Sequence, residues 1–165
     1  MAKSNASGTG GTPATASLTA SDVPFTLHRY EHDSTVTDFG AEAARKLDVA
    51  AERIFKTLVV DAGGQLAVAV IPVNSRMQLS AVASALGVKR VRLADPAVAQ
   101  RKTGYVVGGI SPLGQKSPLP TVIDESCLEH PTVFVSGGRR GLDIEIAPAA
   151  LLALTRGKAA QLTSS

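Results

Sequence analysis

A single cysteine, Cys127, in 165 residues excludes an internal disulfide and any metal site built from several thiolates. A reducing setting, the cytoplasm, is expected for such a chain. Tryptophan is absent, and four Phe and two Tyr are too few for the broad stacking platforms that hold single-stranded nucleic acid. No apolar run approaches the roughly 18–20 residues that span a bilayer. Met1–Pro13 lacks the apolar segment of a secretory signal, so no membrane partner is expected. Neither sign of charge dominates: 17 Lys and Arg stand against 14 Asp and Glu, a net +3. That bias permits an RNA or phosphate partner but falls short of the saturation by which some proteins coat nucleic acid through charge alone. No DNA partner is expected. The basic residues come in small groups (Lys89, Arg90 and Arg92; Arg101 and Lys102; Arg139 and Arg140; Arg156 and Lys158), which read first as solvated surface.

What is there is 44% hydrophobic residues, enough for one globular domain that buries roughly two-thirds of the surface of its unfolded chain. Residues 1–12 are rich in Ser, Gly and Thr and read as a flexible tail, leaving 13–160 as the domain. Thr12-Pro13 caps a helix over Ala14–Ala20. Phe25–Tyr30 alternates like a half-buried strand. Thr37 or Asp38 caps a helix over Ala41–Leu47, and a helical turn over Ala51–Ile54 follows. Lys56–Asp61 and Gln65–Val73 are strands joined by a Gly63-Gly64 hairpin. Their consecutive apolar residues predict burial on both faces. A helix over Ser80–Leu86 ends at Gly87, and Val91–Leu93 is a short strand. Asp95-Pro96 opens a helix through Arg101 that Gly104 stops. After Tyr105–Val107 comes a glycine- and proline-rich loop, Gly108–Pro120. Thr121–Ile123, Val133–Ser136 and Leu142–Ile146 are strands, the last two joined through Gly137–Gly141. Pro148 opens a final helix that Gly157 stops. Strands outnumber helices and several meet in tight hairpins. The fold class expected is therefore mixed α/β: a curved, largely antiparallel sheet or partial barrel flanked by helices.

Five places carry candidate chemistry. His28 and His32 have Glu31 between them, but a zinc helix needs the glutamate directly after the first histidine, where Arg29 stands. On a strand the two lie about 13 Å apart, so they read as partly exposed histidines, and no metal is expected. Cys127, with His130 three residues on, sits in what reads as a surface loop or one helical turn. Glu125 and Glu129 there raise a thiol pKa, the wrong direction for a nucleophile. Lys56 opens an apolar strand and either snorkels to the sheet end or stands at a pocket mouth as a cation for a carbonyl or phosphate. Gly108–Gly114 is first a wide turn, although paired glycines also let main-chain N–H groups approach a ligand. Ser136–Gly141 is first a hairpin loop, although its arginines suit phosphate.

Several segments, in order, resemble one family. They are Tyr30-Glu31-His32-Asp33; Phe39-Gly40; Lys56-Thr57-Leu58; Asp95-Pro96 with Val98–Arg101; Thr103-Gly104-Tyr105 with Gly108–Gly114; and Ser136-Gly137-Gly138 with Arg140–Glu145. Over about residues 13–160 the chain is similar to the YbaK-type bacterial Cys-tRNA(Pro) deacylases of the prolyl-tRNA-synthetase-associated editing-domain superfamily. The resemblance implies a curved mixed sheet flanked by helices. It also implies trans-editing of Cys-tRNA(Pro), with Cys-tRNA(Cys) as a further substrate and prolyl-tRNA synthetase as a partner. Carried over residue by residue, Lys56 is the lysine on which activity depends. Tyr30, Phe39, Thr57, Gly108, Ser136 and Asp143 match residues that line or shape the pocket, and Gly109 and Ile110 of the same bend are expected to bind substrate beside Gly108. No cofactor, metal or protein nucleophile is implied: the substrate's own thiol attacks its ester and leaves as a thiolactone. Asp38 departs from the asparagine expected before Phe39-Gly40. Two alternatives stand beside this reading: a water-dependent hydrolase of another misacylated tRNA(Pro), such as Ala-tRNA(Pro), and a non-catalytic tRNA- or synthetase-binding module.

Overall fold

The computed structural model of the chain describes residues 11–164. The expected tail therefore lies outside the described residues for positions 1–10, whereas Thr12 belongs to the fold. Its hydroxyl accepts from Thr15 N at 3.2 Å while the Thr15 hydroxyl accepts from Thr12 N at 3.1 Å. This reciprocal cap opens α1 (Pro13–Ser21) with Pro13 in its first turn. The Thr12 hydroxyl also donates to the Gly137 carbonyl at 2.6 Å, tying the helix start to a strand 125 residues away. Thr12→Ala removes both bonds. Its expected cost is about 1–2 kcal/mol, read as a fall of about 3–6 °C in a thermal melt, with Thr12→Ser recovering most of it. An unshifted melt of the alanine variant would show that the cap contributes nothing.

The described residues then form β1 (Thr26–Arg29), α2 (Phe39–Leu47), a 3₁₀ turn (Ala51–Arg53), β2 (Phe55–Asp61), β3 (Leu66–Pro72) and β4 (Arg76–Met77). Next come α3 (Leu79–Leu86), β5 (Arg92–Leu93), α4 (Pro96–Thr103), β6 (Thr121–Asp124) and a 3₁₀ helix (Glu125–Glu129). The chain continues with β7 (Val133–Arg139), β8 (Leu142–Ile146), α5 (Pro148–Thr155), β9 (Lys158–Ala160) and β10 (Thr163–Ser164).

The strands make three sheets, in the orders β5-β2-β3-β6-β9, β1-β8-β7 and β10-β4. The class is mixed α/β, but the sheet is divided and open. The β2–β3 pair runs in full antiparallel register from Phe55 opposite Pro72 to Asp61 opposite Leu66. Gly63 and Gly64 close it with φ of +75° and +98°, the pair of positive values a tight hairpin needs. β3–β6 and β6–β9 are parallel; such pairs require long crossovers and leave no local turn signal. At the other hairpin β7 continues through Gly137-Gly138-Arg139 with a bulge, so that Arg139 pairs with Leu142. The expected five-residue connection is therefore a tip of Arg140-Gly141. A parallel bridge, Ile54 with Phe134, links the segment before β2 to β7.

Period-2 alternation sends Val68 and Val70 of β3 into a core shared with Val133, Val135, Leu142, Ile144, Leu18 and Leu151. Ala67, Ala69 and Ile71 enter a second core with Val82 and Ala83 of α3. The run Ala67–Ile71 is thus buried on both faces, as its composition predicts.

Candidate active site

The two larger sheets leave a cavity of about 440 Å³ between the end of β1, the start of α2, the start of β2, the β5–α4 junction and the Val107–Ile110 bend. Tyr30, Phe39, Lys56, Thr57, Gly108, Ile110, Ser136 and Asp143 all line it.

Each arrives for a local reason. Asp38 caps α2, its carboxylate accepting from Ala41 N at 3.2 Å, and so fixes Phe39 as the first helical residue. Gly40 follows because a Cβ there would stand 2.5 Å from a Val73 methyl. Buried Glu42 holds the same helix to the preceding loop: it accepts from Asp33 N at 2.8 Å and contacts His32 Nδ1 at 2.6 Å. Burial pushes its carboxyl up, but these bonds and the His32 charge outweigh that and leave its pKa lowered. On β2, alternation places Thr57 on the face of Phe55 and Val59 and turns Lys56 to the other. Ser136 and Asp143 stand directly opposite each other across β7–β8.

Gly108 has φ +88°, and a Cβ there would lie 2.8 Å from Arg140 Nε and 2.8 Å from the Phe39 ring. Glycine is required by both measures. Gly109 is placed differently from the expectation. It does not line the cavity; a Cβ there would meet Arg139 Cα at 2.7 Å, and its N–H donates to the Val106 carbonyl at 2.8 Å. The bend thus closes on itself through Gly109. Among the described residues no acceptor meets the Gly108 N–H.

The electrostatics of the cavity are uneven. Lys56 is exposed, and no described residue forms an ion pair or hydrogen bond with its ammonium. Asp143 is 6% exposed, and burial pushes its carboxyl up to about 7. Burial, with the Asp143 charge second, pushes the Tyr30 phenol up to about 12. The Thr57 hydroxyl is buried without a partner. An orphaned hydroxyl costs free energy in a resting protein, and a ligand in the cavity is the natural group to complete it.

Other sequence candidates lie elsewhere. Of the two expected settings, surface loop or helical turn, Cys127 takes the second, in the 3₁₀ helix, but it is fully buried there. Its thiol is pushed up to about 11 by burial first and the Asp124 charge second, in place of the expected Glu125 and Glu129. His28 Nε2 meets Glu145 at 2.8 Å and His32 Nδ1 meets Glu42 at 2.6 Å, so these two histidines each have a carboxylate partner. Sequence reasoning missed Leu93, Ala94, Ala99 and Val107, which form apolar wall. Leu93 reads as an ordinary strand residue; only its 58% exposure in the folded chain marks it as part of the mouth.

Several known proteins are similar to this chain. The family described as the aminoacyl-tRNA editing domain matches residues 33–154. A protein of Enterococcus faecalis, provisionally named Cys-tRNA(Pro)/Cys-tRNA(Cys) deacylase EbsC, is 39% identical over 138 residues, 82% of this chain and 84% of that protein. A proline–tRNA ligase of Moorella thermoacetica is 34% identical over 74 residues, 45% of this chain and 13% of the ligase. A crystal structure provisionally described as a trans-editing enzyme for prolyl tRNA synthetase superposes with a TM-score of 0.81 at 26% identity, covering 93% of this chain and 96% of that one. The family match takes in α2, the lysine strand, the glycine bend and the β7–β8 hairpin, which is every wall of the cavity except Tyr30, and the chain belongs to the aminoacyl-tRNA editing domain family.

Proposed function

We propose that this chain, through the unit spanning 13–160, clears cysteine from mischarged tRNA(Pro) and also accepts Cys-tRNA(Cys). The observation that carries the reading is that one small cavity is lined both by Lys56, whose ammonium has no partner among the described residues, and by the buried carboxyl of Asp143. Cysteine and proline are close in size, so a synthetase pocket discriminates between them weakly and a second site must remove the error. Docking on prolyl-tRNA synthetase in the cytoplasm would present the mischarged end as it leaves.

Among the described residues no hydroxyl of the cavity hydrogen-bonds a carboxylate or imidazole: Ser136, although opposite Asp143, has its oxygen accepting from Gly138 N at 3.1 Å, and the Thr57 hydroxyl has no partner, so the chemistry falls to the substrate. Asp143, as carboxylate, takes the proton from the cysteine thiol. The sulfur attacks the ester carbonyl carbon, and the Lys56 ammonium with the free Gly108 N–H stabilises the resulting oxyanion. The carbon–oxygen bond to the ribose then breaks, Asp143 returns its proton to the leaving oxygen, and a thiolactone departs. Attack within one molecule removes the entropy cost of bringing in a second reactant when the cavity holds the reactive rotamer, while the strain of the four-membered ring must be met by stabilisation of the oxyanion. Tyr30, Phe39, Thr57, Ile110 and Ser136 are the groups that hold it.

The same carboxylate could instead activate water on an alanyl ester, which is the second reading. A deacylation panel over Cys-, Ala-, Ser- and Pro-tRNA(Pro), with products identified by mass, separates the two. The expected result is clearance of the cysteinyl substrate with release of thiolactone. Equal clearance of the alanyl substrate, with free amino acid as product, would replace thiol cyclisation by hydrolysis. Tight tRNA binding without deacylation of any substrate would leave a binding module.

A further inference from the structure

We propose that Arg140 is the subsite for a phosphodiester of the RNA end that enters the cavity, an inference that rests on the editing reading above. Arg140 occupies the tip of the β7–β8 hairpin and is exposed. An exposed arginine is ordinarily a mobile charge. This one is held: Nε and Nη2 donate to the Val107 carbonyl at 3.0 and 2.6 Å, and Cζ lies 4.6 Å from the centroid of the Phe39 ring. Val107 and Phe39 are walls of the cavity, so the guanidinium is fixed at its rim. Gly108 keeps the place open, since a Cβ there would collide with Nε.

Two further observations indicate what this arginine awaits. Its charge is uncompensated: no carboxylate pairs with it among the described residues, whereas Arg53 is bridged to Glu145 and Arg92 to Asp61. Its fork is also only half used. A guanidinium carries five N–H donors; the Val107 carbonyl engages Nε and Nη2, and Nη1 remains for an acceptor arriving from solvent. A planar cation with spare donors, oriented before its ligand binds, suits the tetrahedral oxygens of a phosphodiester. The other unpartnered cation of the cavity is Lys56, on the β2 wall. A chain entering ester-first therefore meets one positive group at its reacting carbonyl and a second at the rim, where its backbone charge follows.

The test uses the full chain and three variants: Arg140→Ala, Arg140→Lys and Arg140→Gln. Gln removes the charge but keeps an amide donor for Val107. Two substrates are compared, Cys-tRNA(Pro) and the cysteinyl ester of adenosine, which carries no phosphate. For Ala and Gln the ratio of kcat/KM between the RNA and the adenosine ester should fall about tenfold, with the loss in KM. Lys restores the charge but not the planar fork held by Val107 and Phe39, and should recover only part of it. Binding of an uncharged tRNA(Pro) acceptor-stem minihelix is measured alongside, from 50 to 300 mM salt. For Ala and Gln the slope of log affinity against log salt should become shallower by about 0.7, the value for one lost contact on a single strand. If no substrate is deacylated but this slope still changes, the editing reading fails and the subsite stands. If kcat falls equally on both substrates while the slope stays at the wild-type value, Arg140 only braces the Val107 bend and the proposal is overturned.

Discussion

Replacing Lys56 by alanine should lower kcat/KM for Cys-tRNA(Pro) by about 10²–10³, the scale for removing one charged donor from a developing oxyanion. The melting temperature should stay within about 1 °C of wild type, because an exposed side chain away from packing and pairing changes stability little. Both halves of this expectation come from the same observation: Lys56 is exposed and no described residue pairs with its ammonium, so the folded state loses nothing when it is removed. Arg at this position should recover little. A guanidinium is larger and planar, and it cannot place a compact point charge where the lysine does. Deacylation by Lys56→Ala at the wild-type rate would remove Lys56 from the mechanism.

Asp143→Asn should move activity and stability in opposite directions. Burial raises the carboxyl pKa from 3.8 to about 7, so between those values the folded chain binds more protons than the unfolded chain. Stability then falls as pH rises through that window and stays low above it. Asparagine has nearly the same shape and never ionises, so the variant escapes the penalty and should be the more stable protein at pH 8. The difference in unfolding free energy between variant and wild type should grow by up to about 1.4 kcal/mol per pH unit and level off above about pH 7. Melts from pH 5.5 to 8 isolate the effect. Glu42 and Glu145, whose folded pKa values are lowered, contribute stability that is lost only as pH falls further. Activity should drop by about 10²–10⁴, the range for a positioned proton acceptor, and the rise in rate through neutral pH should vanish. A variant that is no more stable at pH 8 than wild type would mean that Asp143 is not held in the neutral form by its surroundings.

The parts of this architecture that are legible in the sequence are those written in adjacent residues. Thr12-Pro13 and Asp95-Pro96 announce helix starts, Gly87 and Gly104 announce stops, and Gly63-Gly64 announces a hairpin because two positive φ values in succession need glycine. β4, β9 and β10 span only two or three residues, too short to show a period, and they exist because distant partners pair with them. The parallel partners of β6 are invisible for the same reason. At the site the divide runs through single residues. Lys56 and Asp143 stand out through the family resemblance, and the structure adds their contrast in exposure. Gly108 and Gly109 look alike as a pair of glycines, yet one N–H is without an acceptor among the described residues and the other is consumed by Val106. Only the three-dimensional path of the bend separates them. Arg140 reads as a loop charge until the hairpin tip is found resting on Phe39.

The buried position of Cys127 bears on the thiol cyclisation proposed for this chain. A thiolactone is an acylating agent, and the sulfhydryl groups of proteins are among its readiest targets. Here the sole sulfhydryl is sealed in the core and held protonated well above neutrality, so neither the proposed thiolactone nor the proposed cysteinyl ester would capture it by exchange. Self-poisoning through sulfur is closed off by packing alone.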